Sequence, residues 1–405
     1  MKKDFKYKCD SCGQIYEIKK DLMLCQKCRE KDIEGKPLKG ILKVQLPEKF
    51  KNTLSSNKII NIYDYLPIEE KYFPSISVGN TPLIEAKNIQ KILGFENIYL
   101  KFDGTNPTGS YKDRASYLVS AFAKKNNINE IAVASTGNAA SSMSGIASAA
   151  GQKAFIFMSE SAPKAKLVQC LQYGAKLIPI KGDYDKAFDL SLKFSERTGY
   201  LNRNTAYNPM TIEGKKTVSF ELVDQIGERE IDYIFLPVGD GVILSGVIKG
   251  FTDLLYLGRI KKIPQIIGVQ AENSSFIYNA FKNNSYDFNY KASTIADSIS
   301  VNVARNGYSA VKDLKVVKGE MILISDEEIL SSQHQLSSSS GVFCEPSSAA
   351  AFAGFLKMKK NISQDKSVVI LLTGHGLKDI DTALRSVKLP QTYEADINYI
   401  MKNLH

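Results

Sequence analysis

The sequence lacks the long apolar segments that would place a protein in a membrane or send it through one. No apolar run in the 405 residues approaches the roughly 20 residues that a membrane-spanning helix needs. The N-terminus, Met1-Lys-Lys-Asp-Phe-Lys-Tyr-Lys8, is charged and lacks the apolar stretch of a secretory signal. We therefore expect no membrane contact and a cytoplasmic location.

Blocks of basic residues are also lacking, although the formal charge is +10 from 53 basic and 43 acidic side chains. The lysines are spread along the chain, and pairs such as Lys124-Lys125 are typical of solvated helix faces. This distribution favours an ordinary solvated surface over a nucleic-acid interface. With 43% apolar and 24% charged residues, the composition predicts a globular protein with a large core.

Cysteine is scarce outside the first 28 residues, which contain four of the six cysteines. In a cytoplasmic chain this uneven use indicates a metal site and not a disulfide framework. Two Cys-x-x-Cys pairs separated by 12 residues have the spacing of a zinc ribbon, the alternative being accidental pairs of buried or redox-active cysteines. We predict a structural Zn²⁺ with the ligands Cys9, Cys12, Cys25 and Cys28.

From about Thr81 onward, short β-branched runs alternate with amphipathic helical patterns, whereas residues from about 29 to 75 read as a charged linker. The predicted strands are 98–102, 131–134, 154–158, 176–180, 233–237, 266–269, 321–324 and 368–372. The predicted helices are 111–125, 138–150, 164–173, 184–197, 213–226, 243–256, 327–340 and 346–359. This alternation predicts βαβ units and a mostly parallel sheet.

Lys112 stands out in the loop after the first predicted strand of this region. Gly109 and neighbouring turn residues bend the loop, and Ser110 is the expected N-cap of the next helix. Lys112 then lies in the first helical turn, where the backbone amides disfavour a positive charge and help to lower its pKa. A neutral amine can attack an aldehyde, so the position suits a Schiff-base lysine. The alternative is a solvated helix lysine.

Three further loops follow predicted strands, and ligands of parallel sheets bind at such loops. The loop at 134–142 contains Asn138, whose amide suits a phenolic or carboxylate oxygen, although a simple capped helix gives the same pattern. The glycines at 237–246 free backbone amides that could cradle a phosphate, but Asp240 would repel that phosphate unless it turns away. The loop at 371–379 places Thr373 at a strand end, and its His375 is better explained by loop packing than by general-base chemistry.

Taken in order, these loops resemble the fold-type II pyridoxal-phosphate enzymes, and threonine synthases most closely. The resemblance runs from Gly79-Asn-Thr-Pro-Leu83 to Asp379, with close matches at 106–114, 135–138, 345–350 and 373–379. It implies an α/β fold of two domains with mostly parallel sheets, a small N-terminal zinc ribbon, and a homodimer. The implied bounds are 1–45 for ribbon and linker, 46–109 with 206–390 for the large cofactor domain, 110–205 for the small inserted domain and 391–405 for a C-terminal extension.

The resemblance also implies a role for each loop. Lys112 would hold pyridoxal 5′-phosphate as an internal aldimine and then move protons at Cα and Cβ of the substrate. Asn138 would contact the 3′ oxygen of the ring and Thr373 its nitrogen. The cofactor phosphate would lie against Gly239, Asp240, Gly241, Val242 and Ile243, and the substrate carboxylate against Ser135, Thr136, Gly137 and Asn138. The implied reaction is O-phosphohomoserine plus water to threonine plus phosphate.

Three departures from the family pattern stand out. Thr211 stands where many threonine synthases have an arginine for the substrate phosphate, and this keeps other substrates open. Val242-Ile243 stands where glycine and asparagine are usual, which bears on cofactor contacts but leaves backbone amides available, and Ala115 stands where glycine is usual. Arg203, Lys215 and Arg305 are the cations that could compensate. The alternatives are β-replacement or β-elimination on O-phosphoserine, O-acetylserine, serine or threonine, and a non-catalytic zinc-ribbon binding protein.

Overall fold

The computed structural model describes residues 4–33, 35–54, 59–160, 164–182 and 184–403. At the N-terminus, β1 (Lys6–Cys9), β2 (Ile15–Glu17) and β3 (Leu42–Gln45) form an antiparallel sheet in the order β2-β1-β3, beside the short helix α1 (Gln26–Arg29). β3 lies in the segment expected to be a linker, so that expectation is wrong there. Its two buried residues, Leu42 and Val44, are too few to stand out among the charges around them.

Strands and helices alternate through the rest of the described chain. The strands are β4 (Leu83–Glu85), β5 (Asn97–Phe102), β6 (Glu130–Ala134), β7 (Lys153–Ser159), β8 (Lys176–Ile180), β9 (Leu201–Asn202), β10 (Tyr233–Pro237), β11 (Gln265–Ala271), β12 (Glu320–Ile324) and β13 (Ser367–Leu372). The helices are α2 (Lys87–Leu93), α3 (Lys112–Lys125), α4 (Asn138–Ala149), α5 (Lys164–Gln172), α6 (Tyr184–Thr198), α7 (Pro209–Lys215), α8 (Thr217–Ile226), α9 (Val242–Tyr256), α10 (Phe276–Asn283), α11 (Gly307–Val316), α12 (Asp326–Ser340), α13 (Pro346–Met358), α14 (Ile380–Ala383) and α15 (Ile397–Asn403).

Two mostly parallel sheets organise these elements. The larger has the order β12-β11-β10-β13-β5-β4, in which only the edge strand β4 is antiparallel among the described strands. The smaller has the order β8-β7-β6-β9, and its strands lie within 110–205, the range predicted for the inserted domain. The prediction of an α/β fold with mostly parallel sheets is confirmed.

The larger sheet is covered on both faces, as parallel sheets usually are. Consecutive residues of β10 show this, since Ile234 and Leu236 pack into one apolar cluster and Phe235 packs into another. Helix α13 crosses β10 to β13 on one face, while α9 packs on the other. No helix in the described part of the chain combines the length and the apolar character needed to cross a membrane.

The helix predicted at 213–226 is two helices in the structure. α7 begins earlier, at Pro209, because the Asn208 side chain caps it by accepting a hydrogen bond from the N–H of Met210. It ends at Lys215, and α8 starts at Thr217. The eight predicted strands are present within two residues of their bounds, whereas the short strands β4 and β9 were missed.

Candidate active site

Lys112 is the first residue of α3 and directly follows the loop that connects β5 with this helix. Ser110 was predicted as the N-cap, and this is wrong, because Tyr111 occupies that position without a side-chain cap. Ser110 is instead held in an isolated β-bridge with Gly374, and the N–H of Tyr111 donates to the Thr373 carbonyl at 2.8 Å. The start of α3 is therefore attached to the end of β13.

A network of buried charged side chains stabilises the loop between β5 and α3. Arg114 donates to Asp103 at 2.5 and 2.9 Å and to Glu221 at 2.5 and 2.8 Å. Lys101 donates to Glu221 at 2.8 Å. Burial alone would raise the pKa of Glu221, but Arg114 and Lys101 outweigh burial and lower this pKa to about 2. These paired charges hold the backbone next to Lys112 in one geometry.

A cavity of about 350 Å³ lies at the carboxyl ends of the strands and is large enough for a small ligand. It brings together most of the site residues named from the sequence: Lys112, Ser135, Thr136, Gly137, Asn138, Gly239, Asp240, Gly241, Ile243 and Thr373. The Val242 side chain is buried in the core and is not part of the cavity wall.

Asn138 and Thr373 lie at one end of this cavity, here called the ring end. The Asn138 amide donates to Glu345 at 2.9 Å and to Ser298 at 3.2 Å. Thr373 lies 3.1 Å from the Ser348 hydroxyl, which also accepts the backbone N–H of Thr373 at 2.9 Å and that of Gly374 at 2.8 Å. The polar groups of the ring end are thus bonded to one another.

Sequence reasoning assigned no role to Glu345 or Ser348. Both belong to the run Glu345-Pro-Ser-Ser, in which a turn residue and a proline open a helix, and this pattern was the available signal. His375 caps a short 3₁₀ turn by accepting the N–H of Leu377 at 3.1 Å, as the loop-packing interpretation expected.

A second part of the cavity wall, here called the phosphate end, is formed by the N-terminus of α9. Gly241 has a φ of +87°, and a Cβ there would lie 2.6 Å from the Cβ of Ala310, so the turn requires glycine. Within the described part of the chain, the N–H groups of Ile243 and Leu244 donate to no protein acceptor. Such free amides at a helix N-terminus suit an anion.

Asp240 does not turn away from the phosphate end. Its carboxylate lines the cavity and accepts the N–H of Val242 at 3.1 Å and the hydroxyl of Thr205. Burial alone would raise the pKa of Asp240, but Lys112 and Lys215 hold it below its ordinary value. A carboxylate in this position needs nearby cations.

Three basic side chains, those of Lys112, Arg203 and Lys215, interact with Asp240. Burial lowers the pKa of Lys112, and Arg203 lowers it further against the opposing effect of Asp240. Burial also lowers the pKa of Arg203 to about 10, and that of Lys215 falls well below its ordinary value through burial and the neighbouring Lys112. The basic groups of Lys112 and Arg203 thus line the cavity together with Asp240, and Lys215 is close enough to interact with all three.

Arg305 and Thr211 contribute less to the positive charge of the site. Arg305 lines the cavity, but it donates to Asp185 at 2.6 Å and is therefore neutralised. Thr211 is fully buried inside α7, and its hydroxyl donates to the Asn208 carbonyl at 2.7 Å. Neither offers a free charged group to a phosphate.

The cysteine cluster matches a tetrahedral metal site. The four Sγ atoms of Cys9, Cys12, Cys25 and Cys28 lie within 4.8 Å of one another, with 3.8 Å from Cys9 to Cys28 and 3.7 Å from Cys12 to Cys25. A tetrahedron with Zn–S bonds of about 2.3 Å has S–S edges of about 3.8 Å. These thiols fit one structural metal ion.

The family model described as "Pyridoxal-phosphate dependent enzyme" matches residues 75–374. The chain belongs to this family. A lysine of lowered pKa, an amide, a hydroxyl and an anion-binding helix terminus in one cavity fit the cofactor that the family name states. Membership in this enzyme family removes the non-catalytic alternative.

Curated relatives cover nearly the whole chain. The threonine synthase of Methanocaldococcus jannaschii is 32% identical over 98% of this chain and 98% of its own length. That of Methanosarcina acetivorans is 31% identical over 97% of both, and that of a Bacillus species is 37% identical over 80% of this chain and 91% of its own. Within the pyridoxal-phosphate family, the chain is threonine synthase-like.

Solved structures agree on the fold. Threonine deaminase isoform 2 from Solanum lycopersicum has a TM-score of 0.65 and is 20% identical over 87% of this chain and 91% of that one. Maize serine racemase has a TM-score of 0.62 and is 22% identical over 74% and 88%. At these identities the likeness concerns the fold alone.

Proposed function

We propose that this enzyme is a threonine synthase, which converts O-phosphohomoserine and water into threonine and phosphate. The observation that carries the proposal is the cavity that brings Lys112 together with Asn138, Thr373, Arg203 and the N-terminus of α9. The full-length similarity to threonine synthases supports it. The substrate is a small amino acid with two anionic groups, and the positive charge of the site suits both.

Lys112 is the proposed catalytic residue. Bound pyridoxal phosphate supplies an electron sink for carbanion chemistry. The Lys112 amine binds the cofactor and then moves protons at Cα and Cβ of the substrate. Its lowered pKa favours the neutral amine, which is the form that can attack a carbonyl or accept a proton.

Asn138 and Thr373 are proposed to orient the cofactor ring. The Asn138 amide, which is held by Glu345, would contact its 3′ oxygen, and the Thr373 hydroxyl, which is held by Ser348, would contact the ring nitrogen. The backbone at 239–244 holds the cofactor phosphate. Ser135, Thr136, Gly137 and Asn138 precede or open α4, and the N–H groups of this helix terminus receive the substrate carboxylate.

Zinc, assembly and location complete the proposal. We assign one structural Zn²⁺ to the four thiolates, a homodimer to the assembly and the cytoplasm to the location. Metal analysis of protein prepared without chelator should find about one zinc ion per chain. Protein without metal would refute the zinc assignment alone.

A second candidate function rests on Thr211. Because its hydroxyl is bonded within α7, it cannot give the charged clamp that arginine gives to a substrate phosphate. This favours β-replacement or β-elimination on O-phosphoserine, O-acetylserine, serine or threonine.

A substrate screen separates the two candidates. The purified holoenzyme would receive O-phosphohomoserine, O-phosphoserine, O-acetylserine, serine and threonine, with cofactor absorbance, phosphate and threonine measured. Phosphate and threonine from O-phosphohomoserine, absent in a Lys112→Ala variant, would establish a threonine synthase. Inertness toward O-phosphohomoserine with a spectral response to a serine derivative would refute it in favour of the second candidate.

A further inference from the structure

Lys215 is the last residue of α7 and lies between the start of α3 and helix α9. The Tyr111 hydroxyl, next to Lys112, donates to the Lys215 carbonyl at 2.6 Å. On the other side α9 passes so closely that a Cβ at Gly246 would lie 2.6 Å from the Cβ of Lys215. Lys215 is therefore fixed between the catalytic lysine and the second turn of α9.

The Lys215 ammonium group is buried without an anionic partner. Its side chain is 1% exposed, and among the described residues no carboxylate lies within ion-pair distance of it. The neighbouring Lys216 differs, because it pairs with Glu213 and with Asp253 at 2.9 Å. A buried ammonium group without a partner is costly, and burial accordingly lowers the pKa of Lys215 well below its ordinary value. An anion bound nearby would favour the charged form again.

The position of Lys215 on α7 relates it to Thr211. Residues four apart on a helix lie on the same face, one turn from each other. The cation missing at Thr211 is thus present one turn later, and it interacts with Asp240, Lys112 and Arg203. Lys215 is not itself among the residues that line the cavity, but its amine is close enough to Lys112, Arg203 and Asp240, which do line it, to interact with their charges.

We propose that the positive charge of Lys215 stabilises a phosphate monoester dianion bound at the phosphate end, and that the same charge allows the carboxylate of Asp240 to remain in the loop that cradles this dianion. The phosphate belongs either to the cofactor or to the substrate, and these share the same chemistry. Only the substrate case rests on the proposed threonine synthase function.

The first test compares ligands that differ by the phosphate. Apoprotein with Lys215→Gln should bind pyridoxal phosphate about 10- to 100-fold more weakly than wild type, because a buried positive charge near the phosphate is lost, and it should bind pyridoxal equally well. If the phosphate is the substrate's, cofactor affinity stays constant and the KM for O-phosphohomoserine rises by this factor. Unchanged cofactor affinity together with unchanged KM would overturn the proposal.

The second test is a double-mutant cycle with Asp240→Asn. Because Lys215 offsets the carboxylate, Asp240→Asn should recover most of the lost phosphate affinity in the Lys215→Gln background. Lys215→Arg, which keeps the charge, should retain more affinity than Lys215→Gln. Additive effects of the two neutralising substitutions would show that Asp240 and Lys215 are not coupled.

Stability measurements separate binding from folding. Lys215→Met removes an unpaired buried charge, so the melting temperature of the apoprotein should stay equal or rise while phosphate affinity falls. A lower melting temperature with loss of both pyridoxal and pyridoxal phosphate binding would indicate a structural role instead. Lys282→Gln, which removes an exposed lysine, controls for net charge. Since cofactor binding needs no turnover, these measurements remain decisive even if O-phosphohomoserine is not the substrate.

Discussion

The two ends of the cavity are organised differently. At the ring end, Asn138 is bonded to Glu345 and Thr373 lies next to Ser348, so the polar groups satisfy one another. At the phosphate end, Lys215 has no carboxylate within ion-pair distance among the described residues. The ring end can therefore hold its geometry without a ligand, whereas the phosphate end is electrostatically complete only with an anion.

The buried charges around the site also fall into two kinds, those that are paired with one another and those that are not. Arg114, Asp103 and Glu221 form a closed buried network that positions the Lys112 loop. Closed networks of this kind contribute rigidity, and removing one member leaves the others unpaired. Unpaired cations contribute binding energy instead, because their interactions are completed only by a ligand.

Lys112→Ala should have the largest effect, because it removes the group that joins the two ends. Turnover should be lost, and borohydride should no longer attach the cofactor to the protein. The phosphate end remains intact, so pyridoxal phosphate should still bind noncovalently, and it should still bind more tightly than pyridoxal. Trapping followed by peptide mapping, with Lys282→Gln as the control, measures this. Covalent capture at another lysine would contradict the assignment.

Removal of the metal should disturb the phosphate end more than the ring end. Cys9→Ser with Cys12→Ser should abolish zinc binding and unfold the ribbon, whose folding depends on the metal. The ribbon contacts Arg305 through the Lys36 carbonyl and the N–H of Leu38, and Arg305 lines the cavity. Hydrogen exchange should increase around Arg305 before it increases at β13. Uniform exchange at both places would remove the distinction.

Acid should weaken the paired network through Glu221. Its pKa is about 2, below the ordinary 4.5, so the stabilisation is complete above about pH 4.5 and is lost as pH falls toward 2. The difference corresponds to about 3 kcal/mol. Glu221→Gln should lower the melting temperature at neutral pH and flatten its fall below pH 4.5. The exposed Glu228→Gln should do neither, and an unchanged acid profile in Glu221→Gln would contradict this account.

The sequence was most informative where local pattern decides structure. The parallel strands are continuous apolar runs, such as the fully buried β13, and these were predicted within two residues. β9, with two residues, and β3, among charges, depend on their sheet neighbours and have no such pattern. The break between α7 and α8 is a single residue, Lys216, whose φ of −62° and ψ of −21° are still helical, so the sequence carries no clear signal for it.

The same distinction holds for the site, where some residues could be found from local sequence patterns and others depend on contacts between distant segments. Lys112, Asn138 and Thr373 follow strands, and their convergence in one cavity matches the expectation for strand-end loops. Ser348 lies in a recognisable helix-opening run, and Lys215 was named as a cation that could compensate for Thr211. The contacts of both residues depend on side chains of distant segments, which no local pattern shows. Asp240 was recognised as a difficulty, but the cations that accommodate it come from elements distant in sequence.

Ser348→Ala should have the smallest effect and is the sharpest test of the difference between the ends. The hydroxyl accepts two buried N–H groups, from Thr373 and Gly374, and its loss leaves them without this acceptor at a cost of about 2 kcal/mol. The apoprotein should therefore melt at a lower temperature, with a proportionally small loss of cofactor affinity, whereas Ser338→Ala on an exposed helix face should change neither. Lys215→Met should show the opposite pattern, with affinity reduced and stability kept. If both variants changed stability and affinity in the same proportion, the ring end would depend on its ligand as much as the phosphate end does.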